Sequence, residues 1–169
     1  MDKKDPLRLK NQLCFPLYAC ARQVVNVYRP FLDKIGLTYT QYIAMMVMWE
    51  ENTISIKELG HRLRLDSGTL TPVLKKLETA GYISRTRSTE DERIVILNLS
   101  ESGKALKKQA EHIPQQMACC MDSSSAEKMS KEERKALYDA LYKFCLLYTS
   151  GIITPKATPQ ATSPVLKFR

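Results

Sequence analysis

The chain has 169 residues, 26 Lys and Arg against 18 Asp and Glu, a formal charge of +8, and 44% hydrophobic residues. That length predicts one domain, the apolar share excludes wholesale disorder, and the basic balance makes a polyanion the first partner to consider. The longest unbroken apolar run, Ile43 to Trp49, is far short of the roughly 20 residues a membrane span needs. No basic–apolar–small-residue leader opens the chain, so the expectation is a soluble cytoplasmic protein with no membrane partner.

From Leu7 to Tyr28 the apolar residues Leu13, Leu17, Cys20, Val24, Val27 and Phe31 trace one helical stripe. Pro16 predicts that this helix either starts near Phe15 or kinks there, and Pro30 that it ends or bends at Arg29. Thr38 with Gln41 reads as a capping box opening a second helix through Tyr42, Met46 and Trp49. Ser55 with Glu58 reads as another box, opening a short helix with Leu59 and Leu63 inward. Ser67 or Asp66 caps a third short helix that turns Leu70, Leu74 and Leu77 inward and stops at Gly81.

Two β-prone runs follow, Tyr82 to Arg87 and Arg93 to Leu99, joined by the polar Ser88-Thr89-Glu90-Asp91-Glu92 as a hairpin. Helical pattern returns after Ser100, with Ala105, Leu106, Ala110 and Ile113 before a break at Pro114. Ser123-Ser124-Ser125 reads as a loop. Ser130 with Glu133 opens a last helix with Leu137, Leu141, Phe144 and Tyr148 inward. Residues 151–169 hold three prolines, three basic residues and no acid, and read as a disordered basic Pro/Thr-rich tail.

The fold expected is mainly α with a small β-hairpin: a winged helix-turn-helix at about 38–99, within one domain at 1–150. Terminal helices at about 7–32 and 101–148 flank it, and their apolar sides are economically covered by a second copy, giving a homodimer. The third short helix suits a recognition helix. Its first turns carry Ser67, Gly68, Thr69, Thr71 and Pro72, small groups and exposed N–H donors that suit phosphates and base edges. Pro72 is read as a first-turn residue, where N–H groups lack helical partners anyway. Lys75 and Lys76 follow one turn later. Between Gly60 and Arg87 six basic residues, Arg85 and Arg87 among them, face two acids, the excess a duplex-facing surface requires. At the hairpin tip Arg93 suits a narrow minor groove, with Asp91 holding its guanidinium, or the two residues only stabilise the turn.

The five cysteines, Cys14, Cys20, Cys119, Cys120 and Cys145, are odd in number and form no CxxC pair. They read as reduced thiols, and with only His61 and His112 besides, no metal site or cofactor is expected. Cys14 stands among Leu13, Phe15 and Leu17, company in which a cysteine ordinarily packs as a small hydrophobe. A place near a helix N-terminus favours its thiolate, and Tyr18, Tyr28 and Tyr39 are phenolic donors whose convergence on it spacing does not establish. Cys20 and Cys145 fit helical stripes as packing residues.

The run Leu65 to Pro72, then Leu74-Lys75-Lys76-Leu77-Glu78 and Asp91-Glu92-Arg93, resembles the MarR family of winged-helix regulators. Leu9 to Phe15, Tyr28 to Lys34 and Leu37 to Tyr42 are similar to its organic-hydroperoxide-sensing OhrR branch. The likeness spans roughly residues 7–148 and departs at Pro16, where the family has a helix-compatible residue. It implies a repressor of double-stranded DNA bearing a palindromic operator, and not an enzyme. It also implies that Cys14 is the peroxide-reactive thiol, that Tyr28 and Tyr39 hydrogen-bond to it, and that Cys119, with Cys120 as substitute, resolves its sulfenic acid as a disulfide between subunits. The oxidant is then an organic hydroperoxide. Competing readings are a MarR-type repressor released by a small phenolic or lipid-like ligand, a thiol peroxidase-like enzyme, and a basic scaffold protein.

Overall fold

The computed structural model describes Asp5, residues 7–124 and residues 129–149, with the side chains at 120–124 and 147–149 outside that description. Cys120, Tyr148 and Ser125 are thereby left out wholly or in their side chains, and the expected 151–169 tail lies outside the described residues. The chain divides after Ser123 into two units.

The first unit opens with a single 3-10 turn, Leu9–Asn11, and then α1, Cys14–Leu32. Pro16 produces no kink. It is the third residue of α1, where the N–H it lacks has no helical acceptor to lose. Pro30 does not end α1 at Arg29 either; the helix runs to Leu32 and closes with the Asp33 N–H on the Arg29 carbonyl. So near a terminus proline sacrifices one bond and leaves the last turn in place. After a second 3-10 turn, Asp33–Ile35, α2 spans Tyr39–Glu51 behind a complete Thr38–Gln41 capping box.

A strand that the sequence pattern does not announce, β1 (Thr53–Ser55), comes next, then α3 (Ile56–Leu63) and α4 (Ser67–Thr79). At Ser55 the hydroxyl accepts the Glu58 N–H. The wing strands are β2 (Ile83–Arg87) and β3 (Val95–Leu99), so Arg93 and Ile94 belong to the turn and not to the strand. All three strands form one antiparallel sheet in the order β1-β3-β2, in place of the two-stranded hairpin expected. Ile54 and Arg85 both oppose Leu97 across the ladder.

Two helices follow, α5 (Glu101–Ala110) and α6 (Ile113–Ser124). Pro114 therefore starts a helix where a break was expected, a first-turn position that tolerates it well. Ser123 and Ser124 continue α6 rather than forming a loop. The core gathers Leu32, Tyr42, Met45, Met48, Leu59, Leu70, Leu74, Leu77, Ile83, Leu97 and Leu106. Each fully buried side chain of this size contributes about 1.5–3 kcal/mol relative to exposure.

Two joints hold α4 and α5 to this core. Gly81 takes the left-handed φ of 75° that ends α4, and its carbonyl accepts the Ser100 and Ser102 hydroxyls at 2.6 Å each. Gly103 packs so closely that a Cβ there would stand 2.2 Å from the Tyr82 carbonyl oxygen, and its own carbonyl accepts the Trp49 indole N–H at 2.8 Å.

The second unit is described through α7 (Lys131–Thr149), opened by the reciprocal Ser130–Glu133 bonds at 2.8 and 3.1 Å. Leu137 and Leu141, expected inward, are exposed in the single chain, as are Tyr138, Tyr142 and Leu146. Leu13, just before α1, and Phe15, Val24 and Val27 along it are exposed too. Cys20 and Cys145, expected as packing residues, are exposed in the single chain. No described helix is long and apolar enough to cross a membrane.

Candidate nucleic-acid interface and thiol site

α4 is capped by Asp66, whose two carboxylate oxygens accept the Thr69 N–H and the Thr69 hydroxyl, both at 2.9 Å. Those bonds hold the Asp66 carboxyl below its ordinary value and leave Ser67 inside the helix. Leu70, Leu74 and Leu77 pin the inner side, so Ser67, Gly68, Thr69, Thr71, Pro72, Lys75 and Lys76 all emerge on the exposed side. Thr71 turns its hydroxyl back to the Ser67 carbonyl at 2.6 Å. Pro72 stands in the second turn, not the first; the N–H it lacks would have gone to the Gly68 carbonyl.

In the wing, Arg87 donates to the Glu92 carbonyl at 2.8 Å and so clasps the turn. Asp91 accepts the backbone N–H of Arg93 at 2.9 Å. The pairing is thus of the turn-stabilising kind, and the Arg93 side chain projects exposed from the tip.

Cys14 is exposed and is the first residue of α1, where Leu13 supplies no side-chain cap. The Phe15 N–H there is answered by the Gln12 carbonyl at 3.3 Å. Tyr28 and Tyr39 do come together, edge to face with ring centroids 5.1 Å apart, and Tyr28 also lies 5.9 Å from Tyr42. Burial pushes both phenols above their ordinary value, with the facing Tyr39 adding to the effect at Tyr28, so they are protonated donors. The fold does not bring this pair to Cys14 of the same chain: Tyr28 lies fourteen residues further along one helix, roughly 21 Å at 1.5 Å per residue. A cavity of about 320 Å³ opens beside Tyr39, lined by Val25, Arg29, Leu32, Leu37 and Thr38 among others. Cys119 is exposed on α6.

A family model described as "Transcriptional regulator SarA/Rot" matches residues 26–110. The organic hydroperoxide resistance transcriptional regulator of Bacillus subtilis is 46% identical over 141 residues, covering 83% of this chain and 92% of that protein. The chain belongs to the SarA/Rot group of MarR-like winged-helix transcriptional regulators. Among solved structures, AbfR of Staphylococcus epidermidis is 33% identical with a TM-score of 0.65, over 85% of this chain and 95% of that one. AbfR has also been solved reduced and bound to DNA, at 33% identity and a TM-score of 0.65, over 82% of this chain and 93% of that one. Its disulfide form is 32% identical with a TM-score of 0.56, over 85% and 94%.

In this MarR-like DNA-binding regulator, some cations of the basic stretch are paired with carboxylates, which charge counting misses. Arg62 is bound by Glu50 and Glu51, tying α3 to the end of α2. Arg85 places its Nε 3.0 Å from the Glu78 carboxylate. The Ile83–Arg85 alternation is the signal that would have shown Arg85 turning inward.

Proposed function

We propose that the chain is a dimeric repressor that holds a palindromic operator when reduced and releases it when an organic hydroperoxide oxidises Cys14. The observation that carries this reading is the division of the thiol site along α1. An exposed cysteine begins the helix and a half-buried tyrosine pair lies at its far end, so the parts meet only across two antiparallel copies. The exposed apolar residues Leu13, at the N-cap, and Phe15, Val24 and Val27, within α1, supply a surface for that pairing. In the dimer, the exposed side of α4 enters the major groove and Arg93 approaches the minor groove, with Ser67, Thr69, Thr71, Lys75 and Lys76 as contacts. Two recognition helices about 34 Å apart then grip successive turns of one face of the duplex.

The chemistry balances without a cofactor. The Cys14 thiolate attacks the peroxide O–O bond, forming S–O and expelling an alkoxide that takes a proton to become the alcohol. Sulfur loses two electrons and the peroxide gains them. The Cys119 thiol of the second copy, or Cys120, then attacks the sulfenic sulfur, forming the disulfide and releasing water. Tyr28 and Tyr39 lose their thiolate partner, and the paired winged domains turn out of register. The disulfide-formed AbfR structure supports such an oxidised state.

The cavity beside Tyr39 favours one other reading, in which a small organic ligand entering there releases DNA and Cys14 is incidental. Treatment with cumene hydroperoxide separates the two. Non-reducing electrophoresis and mass mapping should show Cys14 modified as DNA is released, and Cys14→Ser should stay bound. Release by Cys14→Ser, or release with Cys14 unmodified, would overturn the thiol switch.

A further inference from the structure

Arg85 stands on the strand that forms the wing, in a basic stretch that points to DNA, yet its side chain is turned the other way. In an antiparallel sheet residues directly opposite each other share a face. Ile54 and Arg85 both oppose Leu97, and Leu97 is fully buried with Ile54 nearly so. The guanidinium therefore lies on the core-facing side of the sheet, beneath α4. Its side chain is 25% exposed, and Nε and Nη2 carry almost no accessible surface and make no hydrogen bond. The Nε to Glu78 contact at 3.0 Å is an ion pair without hydrogen-bond alignment. Glu78 belongs to the last turns of α4, where a carboxylate opposes the helix dipole unless a cation answers it. Arg85 is that cation, reaching across from β2.

We propose that Arg85 is a positioning residue. Paired with Glu78 on the inner side of the sheet, it fixes the angle between α4 and the wing and does not contact a phosphate. The proposal rests on the DNA-binding reading of α4 and the wing. It predicts behaviour that differs in kind from that of a phosphate contact. A lysine or arginine that neutralises a phosphate contributes about 0.9 to the slope of log K against log salt, whereas a strut leaves that slope alone. The two partners should also act as one unit, so that loss of either costs as much as loss of both.

The test uses the full chain and a duplex enriched by the wild-type protein from a randomised pool. Arg85→Gln and Glu78→Gln should each weaken binding about tenfold, equivalent to 1.4 kcal/mol, with the salt slope unchanged. The double variant should be no weaker than either single one, and the exchanged pair E78R/R85E should recover most of the affinity. Circular dichroism melts fix the folded fraction of each protein. If Arg85→Gln does not fold, Arg85→Lys and Glu78→Gln carry the same comparison. A slope lowered in Arg85→Gln by about 0.9 per subunit, about 1.8 for the dimer, or tighter binding by Glu78→Gln, would show Arg85 to be a phosphate contact and overturn the proposal. Failure of the wild-type chain to enrich any duplex would instead remove the DNA reading on which it stands.

Discussion

Replacing Gly103 by alanine sets two effects of opposite sign against each other. Gly103 is the third residue of α5, and a Cβ there would stand 2.2 Å from the Tyr82 carbonyl oxygen and 2.7 Å from a Leu99 methyl. The methyl can rotate aside. The carbonyl cannot, because it belongs to the backbone leaving α4 and already accepts the Ser100 N–H at 3.1 Å. Helix propensity favours alanine by about 1 kcal/mol at most. Moving α5 away to relieve the overlap costs about 1–3 kcal/mol. The same movement stretches the 2.8 Å bond from the Trp49 indole to the Gly103 carbonyl, and losing that bond costs about 1 kcal/mol more. The net expectation is a protein about 1–3 kcal/mol less stable. Urea unfolding followed by Trp49 fluorescence reads this directly, since the chain has one tryptophan. The midpoint should fall with an unchanged m-value. A Gly103→Ala variant as stable as the parent would refute the reasoning, because propensity would then outweigh packing at the joint between α2 and α5.

Three other outcomes follow from named geometry. Asn52 ends α2 at φ 59° and ψ −36°, outside the regions a side chain favours; Asn52→Gly should raise the stability measured by denaturant by about 0.5–1 kcal/mol, strain relief exceeding the entropy it adds to the unfolded chain. Tyr28 and Tyr39 have phenols raised above 10.0 by burial. A raised folded value means that their contribution is whole below the unfolded value and is lost as pH rises through the folded one, so stability should decline above about pH 10. A Tyr28→Phe/Tyr39→Phe chain should show a flatter alkaline limb in melts taken across that range. Lys76→Ala, on the exposed side of α4, should lower the salt slope of duplex binding by about 0.9 per subunit, about 1.8 for the dimer, where an unchanged slope would show that Lys76 meets no phosphate.

Whatever was decided within one turn of chain was legible in the sequence. The Thr38–Gln41 box, the α4 cap at Ser67 or Asp66, which the structure gives to Asp66, and the reciprocal Ser130–Glu133 bonds each need only residues close by in the chain. The inward leucines of α4 follow from the helical period alone. The order of the elements gave the winged helix, and the resemblance carried in Leu65–Pro72 and Asp91–Arg93 added its regulatory class, both of which the comparisons bear out. Prolines were ambiguous for a local reason: a missing N–H is costly inside a helix and costless in its first turn. Pro16 and Pro114 thus begin helices that spacing alone would interrupt.

Other features belong to the tertiary structure because they depend on surfaces that arrive from elsewhere in the chain. Thr53–Ser55 is too short to show a strand period, and becomes one only because β3 offers an open edge about 45 residues away to pair with. Arg62 and Arg85 count as positive charge in the sequence, but Glu50, Glu51 and Glu78 claim them once α2, α3, α4 and β2 are packed. Tyr28 and Tyr39 meet edge to face because a turn folds α2 back along α1. The same rigid α1 keeps Cys14 from them. Local bonding set the elements, and packing decided which of their charges and thiols were left for chemistry.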